Sequence, residues 1–281
     1  MKVLLLAAAL GSAWAQTPAP APDVDEIMSR VGANQTRSQD ARREWVYNQK
    51  LFVRMLRTNG KLAREERREY VITPKNRRVH KELVKFEGKA EDHGKITPYD
   101  HPGYSFKGVD IDGEVIDDLS EDLTYDKESR DGLSRDLFPL IPAEQKHYDF
   151  KLEAAETYRG RPVFRVSFAP KKHLPDGESG DWKGEALIDA EDSEPVLVTT
   201  RLAAAIPMAV KILLGTNVKG LGFSLTYQKF ADGIWFPVSY GGEFEVRAIF
   251  FYKRTITISL TNSDFRRADV SSNIAYNIED K

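Results

Sequence analysis

The run Glu243-Phe-Glu-Val-Arg-Ala-Ile-Phe-Phe-Tyr-Lys-Arg-Thr-Ile-Thr-Ile-Ser-Leu-Thr261 decides the fold class of this chain. Apolar residues recur at nearly every second position, and the intervening positions are mostly charged or carry a hydroxyl group. Because successive side chains of a strand point to opposite faces, this period predicts antiparallel strand with one buried face. The predicted apolar face comprises Phe244, Val246, Ala248, Phe250, Tyr252, Ile256, Ile258 and Leu260.

Arg254 interrupts the apolar face of this run. Two interpretations are open. In the first, the chain turns at Tyr252-Lys253-Arg254, because one strand from Glu243 to Thr261 would exceed the usual length of about 3–10 residues. In the second, Arg254 neutralises the headgroup of a ligand that lies against the apolar face. We favour the turn.

The composition is that of a globular protein with a sizeable core. The chain has 281 residues, of which 41% are hydrophobic, and its formal net charge is -2. A chain of this length can bury a substantial core, whereas a nucleic-acid-binding domain is usually strongly basic. The chain contains no cysteine, which excludes disulfides and thiolate metal ligands.

The first residues have the pattern of a secretory signal peptide. A positive start is followed by an apolar run to Leu10 and by the small-x-small site Ala13-Trp14-Ala15. We expect cleavage after Ala15, a Pro/Ala linker over residues 16–22 and a single domain over residues 23–281. Because no cysteine follows the apolar run, a lipid anchor is not expected, and the predicted location is the periplasm.

Helix and strand signals alternate with turns after the linker. Asp23 is a predicted N-cap with Glu26 three residues later, which indicates an amphipathic helix. Asn59-Gly60 predicts a hairpin turn between strands that begin at Trp45 and Leu62. Further strands are predicted over residues 79–86, 148–158, 163–169, 182–189 and 195–202 and from 223 onward. These signals predict a mainly β (α+β) fold, a large curled antiparallel sheet or incompletely closed barrel with an N-terminal helix and an inserted helix.

The strands that follow Trp45 are unusually basic, and Arg67, Arg68, Arg77 and Arg78 lie in this part of the sequence. One interpretation is a solvated outer face whose bases protect an edge strand. The other is a patch that contacts anionic lipid headgroups at the membrane or an acidic envelope protein.

An acidic segment over residues 110–140 has the character of a helical insertion. We predict a surface helix from Ile116 to Arg130 that is attracted to the basic strands. The start, Asp110-Ile-Asp112-Gly113-Glu114, contains carboxylates at alternate positions, but its glycine comes fourth, where an EF-hand loop requires it sixth. No metal site is therefore expected.

No catalytic motif is present in the sequence. The chain lacks a Gly-x-Ser-x-Gly nucleophile motif, and its 5 histidines are scattered without zinc-binding spacing. We therefore expect neither enzyme activity nor a cofactor.

Several short motifs resemble the periplasmic outer-membrane lipoprotein-sorting proteins related to LolA and LolB, in particular their uncharacterised bacterial branch. The resemblance is carried by the export signal, Asp23–Val31, Asn59-Gly60-Lys61, Gly184–Asp189 and Trp235-Phe-Pro237. It implies an incompletely closed antiparallel barrel over helices, with an apolar concavity that accepts acyl chains.

The predicted ligand is therefore a lipid or a lipoprotein acyl chain, held in an apolar concavity of the sheet. The predicted lining residues are Trp45, Phe164, Phe244, Phe250, Tyr252 and Arg254, and the predicted lid residues are Ile206, Met208 and Leu213. The alternative function is an envelope protein-interaction or regulatory module that uses the basic strand face and carries no lipid.

Overall fold

The computed structural model describes residues 22–42, 44–75, 78–106, 110–122, 140–172, 182–203, 217–219, 222–230, 233–248 and 252–268. The helices in this part of the chain are α1 (Val24–Arg42), α2 (Ile111–Asp122) and α3 (Pro142–Gln145). The strands are β1 (Trp45–Arg57), β2 (Leu62–Lys75), β3 (Arg78–Asp92), β4 (Lys95–Tyr99), β5 (Tyr148–Tyr158), β6 (Arg161–Pro170), β7 (Trp182–Asp189), β8 (Pro195–Leu202), β9 (Asn217–Lys219), β10 (Gly222–Lys229), β11 (Trp235–Ala248) and β12 (Tyr252–Arg267).

The strands form one antiparallel sheet in the order β4-β3-β2-β1-β12-β11-β10-β8-β7-β6-β5, with the short strand β9 paired to β11. The end strands β4 and β5 are not paired with each other in the described residues. The sheet is therefore curled but open, and the predicted fold class is confirmed.

Turn residues set the hairpins where the sequence predicts them. Gly60 has a φ of 76°, and the Asn59 side chain accepts a hydrogen bond from the Lys61 backbone N–H at 3.0 Å. The reversal between β5 and β6 places Arg159 and Gly160 at φ values of 50° and 80°. Positive φ at both central residues matches the right-handed twist of the flanking strands, so both strands pair in register.

The run that decides the fold class forms two strands. Ala248 pairs with Tyr252 in the antiparallel register of β11 and β12, so the chain reverses across residues 249–251. The favoured interpretation of a turn is confirmed, and the turn lies just before the predicted Tyr252-Lys253-Arg254. Phe250 lies outside the described residues.

Gly242 allows the backbones of β10 and β11 to approach where the sheet curls. A Cβ atom at this position would lie 2.1 Å from the backbone oxygen of Gly222. A side chain there would force the strands apart, because backbone atoms cannot move aside as a side-chain terminus can.

Helix α1 extends to Arg42, which confirms that the polar stretch after Asn34 continues the predicted helix. Ile27, Met28 and Val31 form its apolar stripe and are at most 2% exposed. Burial of each such side chain contributes about 1.5–3 kcal/mol, so this stripe fixes the helix to the sheet.

Helix α2 is not the surface helix from Ile116 to Arg130 that the sequence predicts. It spans Ile111–Asp122, and Val115, Ile116 and Leu119 are buried in the main core. The sequence prediction overlooked these three residues because acidic side chains surround them. The predicted attraction to the basic strands is confirmed by ion pairs with β2, and residues 123–139 lie outside the described part of the chain.

Candidate functional site

The concave face of the sheet is apolar on its central strands. The inward residues of β1 pair in register with those of β12, and the inward residues of β11 continue the same surface. Each of these side chains is at most 3% exposed. The surface comprises Leu51, Val53, Met55, Phe244, Val246, Ile256, Ile258 and Leu260.

The next strand, β2, turns charged side chains toward the same face. Arg64, Glu66 and Arg68 lie in register with the apolar residues of β1. They are only 1%, 1% and 6% exposed. Charged side chains are almost never buried unless they are paired, so their partners define the chemistry of this site.

Arg64 uses each of its three guanidinium nitrogens. Its Nε donates to the Tyr99 hydroxyl at 2.7 Å, and its Nη1 donates to Asp110 Oδ2 at 2.8 Å. Its Nη2 donates to the backbone oxygen of Tyr104. Asp110 directly precedes α2, so this arginine ties the helix start to β2.

Tyr99 connects Arg64 to Glu66. Its hydroxyl donates to Glu66 Oε1 at 2.6 Å, and its ring fills the space above Gly88, where a Cβ atom would lie 2.2 Å from the ring. Burial raises the pKa of Tyr99, and the neighbouring Glu66 charge raises it further. The hydroxyl therefore remains a proton donor at neutral pH.

Arg68 joins the sheet to the middle of α2. Its Nε donates to Glu66 Oε2 at 2.8 Å, and its Nη2 is paired with Asp117 of the helix. Burial lowers the pKa of Arg68, but the charge and hydrogen bond of Glu66 outweigh burial, so the pKa lies above the usual value. The guanidinium stays charged.

Arg254 of β12 holds the first turn of α2. Its Nε and Nη2 donate to the two oxygens of Asp112 at 2.8 and 2.9 Å. The Tyr252 hydroxyl donates to the same carboxylate at 2.8 Å, and the guanidinium lies 4.6 Å from the centroid of the Tyr252 ring. Burial and the Asp112 charge raise the pKa of Tyr252, so its hydroxyl is a donor at neutral pH.

Arg64, Arg68 and Arg254 are called the arginine cluster below, and Asp110, Asp112 and Asp117 are called the helix carboxylates. The cluster lies on the concave face, and the carboxylates lie on α2 or directly before it. Such charge-assisted pairs are short and geometrically specific. They hold α2 over the apolar surface.

Helix α1 is attached to the sheet in a different way. Glu194, at the end of the turn between β7 and β8, is 2% exposed and accepts hydrogen bonds from Gln35 Nε2 at 2.5 Å and Ser38 Oγ at 2.7 Å. Burial raises the pKa of Glu194, although these donors and the charge of Arg42 oppose that change. The α1 donors closest to this carboxylate are neutral.

The structure brings only part of the predicted lining together. Phe244, Tyr252 and Arg254 lie on the concave face near α2. Phe164, on β6, packs against the core and is partly buried. Trp45, at the start of β1, contacts Phe236, with a distance of 5.2 Å between ring centroids. Phe250 and the lid residues Ile206, Met208 and Leu213 lie outside the described residues.

The four arginines predicted as one face do not share a face. Arg67 points outward, where it pairs with Glu65 at 2.6 Å, whereas Arg68 points into the concavity, because neighbours on a strand face opposite sides. Arg77 lies outside the described residues, and Arg78 begins β3. The basic strands therefore carry charge on both faces of the sheet.

The sequence analysis missed Arg64, Glu66 and the helix carboxylates as site residues. A signal was present, because Arg64, Glu66 and Arg68 share strand parity with Tyr70 and Ile72. That parity continues into a buried apolar residue at Ile72, which is 2% exposed. It would have predicted an inward-facing charged cluster.

A cleft of ≈ 680 Å³ crosses strands β5 to β8. Most of its lining side chains share the parity that faces away from the core, including Lys151, Ser167, Lys183, Glu185, Thr199 and Arg201. This cleft is therefore distinct from the apolar concave surface beneath α2.

The described residues offer neither a membrane-spanning helix nor a metal centre. None of the described helices is long and apolar enough to cross a membrane. No group of three or more His, Asp or Glu side chains in that part of the chain is arranged to hold a metal ion. The carboxylates of the Asp110–Glu114 segment that contact other groups bind arginine, tyrosine and backbone donors instead.

No protein-family model and no curated protein matches this chain. Solved structures do match. A domain named for outer membrane lipoprotein sorting, from Vibrio parahaemolyticus, is 13% identical with a TM-score of 0.36, covering 90% of this chain and 96% of that one. A LolA superfamily protein from Nitrosomonas europaea is also 13% identical with a TM-score of 0.36, covering 89% and 96%.

A DUF1329 family protein from Desulfovibrio piger is 13% identical with a TM-score of 0.35, covering 90% of this chain and 96% of that one. The first two names agree with the family that the sequence resembles. Because all three TM-scores lie below 0.5, we argue the function from the geometry of this chain alone.

Proposed function

We propose that this protein is a carrier that binds the acyl chain of a lipid or lipoprotein between the concave face of the sheet and helix α2. One observation supports this most directly. The apolar surface on β1, β11 and β12 is covered near α2 by a 12-residue helix that charged pairs fasten to the sheet. A helix held in this way can be displaced without loss of any strand pairing.

The energetics of exchange are close to balanced. Val115, Ile116 and Leu119 are the α2 side chains buried against the core, and each contributes about 1.5–3 kcal/mol on burial. A ligand gains about 0.8 kcal/mol for each methylene group that it buries in their place. Roughly ten methylene groups therefore compensate for the displaced side chains, and binding is expected to depend steeply on chain length.

The proposed place of action is the periplasm, after removal of residues 1–15. The support is the signal-peptide pattern at the start of the sequence. A carrier in an aqueous compartment must shield the acyl chain from water, and the enclosed surface beneath α2 would provide that shield.

The direct test is titration of the mature protein with monoacylglycerols whose chains range from about 8 to about 18 carbons, followed by calorimetry or tryptophan fluorescence. These ligands are neutral, so the measurement isolates burial of the chain. We expect saturable binding that strengthens with each added pair of methylene groups until the site is full. A folded protein that binds none of the series would overturn the proposal.

A tether across the latch tests the position of the site. The chain has no native cysteine, so Asp112→Cys with Arg254→Cys provides one defined pair for a short bismaleimide. We expect the double variant to bind the acyl probes before cross-linking and to lose binding afterwards. The control pair, Glu243→Cys with Thr257→Cys, joins β11 and β12 on the outer face and should bind equally in both states. Binding that survives the α2 tether would place the ligand elsewhere.

A further inference from the structure

The arginine cluster has its compensating charge divided between the sheet and α2. Arg64, Arg68 and Arg254 contribute three positive charges, and Glu66 supplies one negative charge from the same sheet. The helix carboxylates supply the other three. Arg57, which is in register with Arg254, has its own partner in Glu91.

Displacement of α2 would therefore expose an uncompensated site. Among these described side chains, the sheet alone carries three positive charges and one negative charge, which leaves a net charge of +2. These groups lie beside the apolar surface of β1, where unpaired charge is strongly unfavourable. A neutral ligand would fill the apolar space but leave this charge without a partner.

Resting on the proposed function, we propose that the cargo is an anionic amphiphile whose phosphate or carboxylate headgroup replaces the helix carboxylates on the arginine cluster. Its acyl chain replaces the apolar residues of α2 in the same event. The helix thus acts as a built-in stand-in for the ligand, matching it in both charge and apolarity.

The geometry of the Asp112 pair shows what the site recognises. Arg254 presents two N–H groups to the two oxygens of one carboxylate, and Tyr252 adds a hydroxyl donor to the same group. This planar fork fits a phosphate as well as a carboxylate. Arg64 and Arg68 supply further donors from the neighbouring strand β2, so a headgroup with a double negative charge matches the charge that α2 leaves behind.

The experiment compares two ligands that share their acyl chains and differ in the headgroup. Phosphatidic acid carries a phosphate monoester, and diacylglycerol carries a neutral hydroxyl group. Each is presented to the mature protein at equal low ionic strength, and inorganic phosphate is titrated alone. Three variants accompany the wild type, namely Arg254→Gln, Asp112→Asn and the control Arg247→Gln. Arg247 belongs to the same hairpin but points outward, paired with Glu245.

We expect the wild type to bind phosphatidic acid at least tenfold more tightly than diacylglycerol. Arg254→Gln should reduce this ratio by about tenfold, the value for loss of one charge-assisted hydrogen bond, and Arg247→Gln should leave it unchanged. Asp112→Asn, which weakens the stand-in and keeps every arginine, should tighten binding of phosphatidic acid.

Each other outcome is decisive. Equal affinity for the two lipids in the wild type and in Asp112→Asn overturns the anionic headgroup and leaves the acyl carrier intact. If inorganic phosphate binds as tightly as phosphatidic acid, the site is specific for a free anion and the amphiphile is rejected. If neither lipid binds to folded protein, the proposed function fails as well.

Discussion

Helices α1 and α2 both cover the inner face of one curled sheet, yet the sheet holds them by different forces. Helix α1 buries an apolar stripe, and its donors Gln35 and Ser38 bind Glu194. Helix α2 is fastened by ion pairs to Arg64, Arg68 and Arg254. An apolar stripe with neutral hydrogen bonds has no competitor in water, whereas arginine pairs can be taken over by another anion. The comparison indicates that α1 belongs to the scaffold and that α2 is exchangeable.

The largest expected effect comes from trimming one buried isoleucine on each helix. Ile27→Ala on α1 should lower the free energy of unfolding by about 2–5 kcal/mol, because it removes buried contacts that the fold cannot replace. Ile116→Ala on α2 removes a side chain that is equally buried. Its cost should be smaller, because opening of α2 limits the loss. Urea unfolding of both variants measures the difference, and equal losses would place α2 in the scaffold as well.

A smaller effect is expected from removing the charge at the first turn of α2. Asp112→Asn weakens the pair with Arg254 and should lower the free energy of opening α2 by about 1.5–3 kcal/mol, the range for hydrogen bonds to charged groups. Hydrogen exchange of the amides of residues 111–122 measures this opening, while α1 amides should be unaffected.

Glu114→Gln is the matched control for that variant. Glu114 lies in the same first turn of α2 and is exposed, so its loss removes the same charge from the helix N-terminus without touching the arginine cluster. Exchange that increases equally in both variants would show that the helix dipole, and not the latch, is responsible.

The smallest expected effect concerns pH and the buried anchor of α1. Burial raises the pKa of Glu194 above its ordinary value of 4.5, so the folded state binds a proton more readily than the unfolded chain. Stability should therefore fall as the pH rises from 4.5 through the pKa of the folded state. Glu194→Gln should remove this decline, so its stability relative to the wild type should increase with pH.

Chemical unfolding at several pH values tests that expectation against Glu191→Gln. Glu191 lies in the same turn between β7 and β8 but is exposed, so its replacement changes the net charge equally. Parallel pH profiles for the wild type and Glu194→Gln would contradict the assigned role of burial.

Strand positions could be predicted from the sequence because they depend on local pattern. The bounds of β5, β7 and β8 agree with the predicted residues 148–158, 182–189 and 195–202. Alternation and turn residues act over a few positions, and Asn59-Gly60 sets its hairpin with no contribution from the rest of the chain. The buried face of α2 escaped prediction because its apolar residues lie among acids whose partners are distant in sequence.

The sequence by itself determined a mainly antiparallel sheet, its hairpins, and an apolar face on the run from Glu243 to Thr261. Tertiary structure alone decided that the arginines of this face and of β2 meet the carboxylates of α2. Arg64 lies 46 residues from Asp110, and Arg254 lies 142 residues from Asp112. Strand parity states which residues share a face, but only the curl of the whole sheet determines what that face encloses.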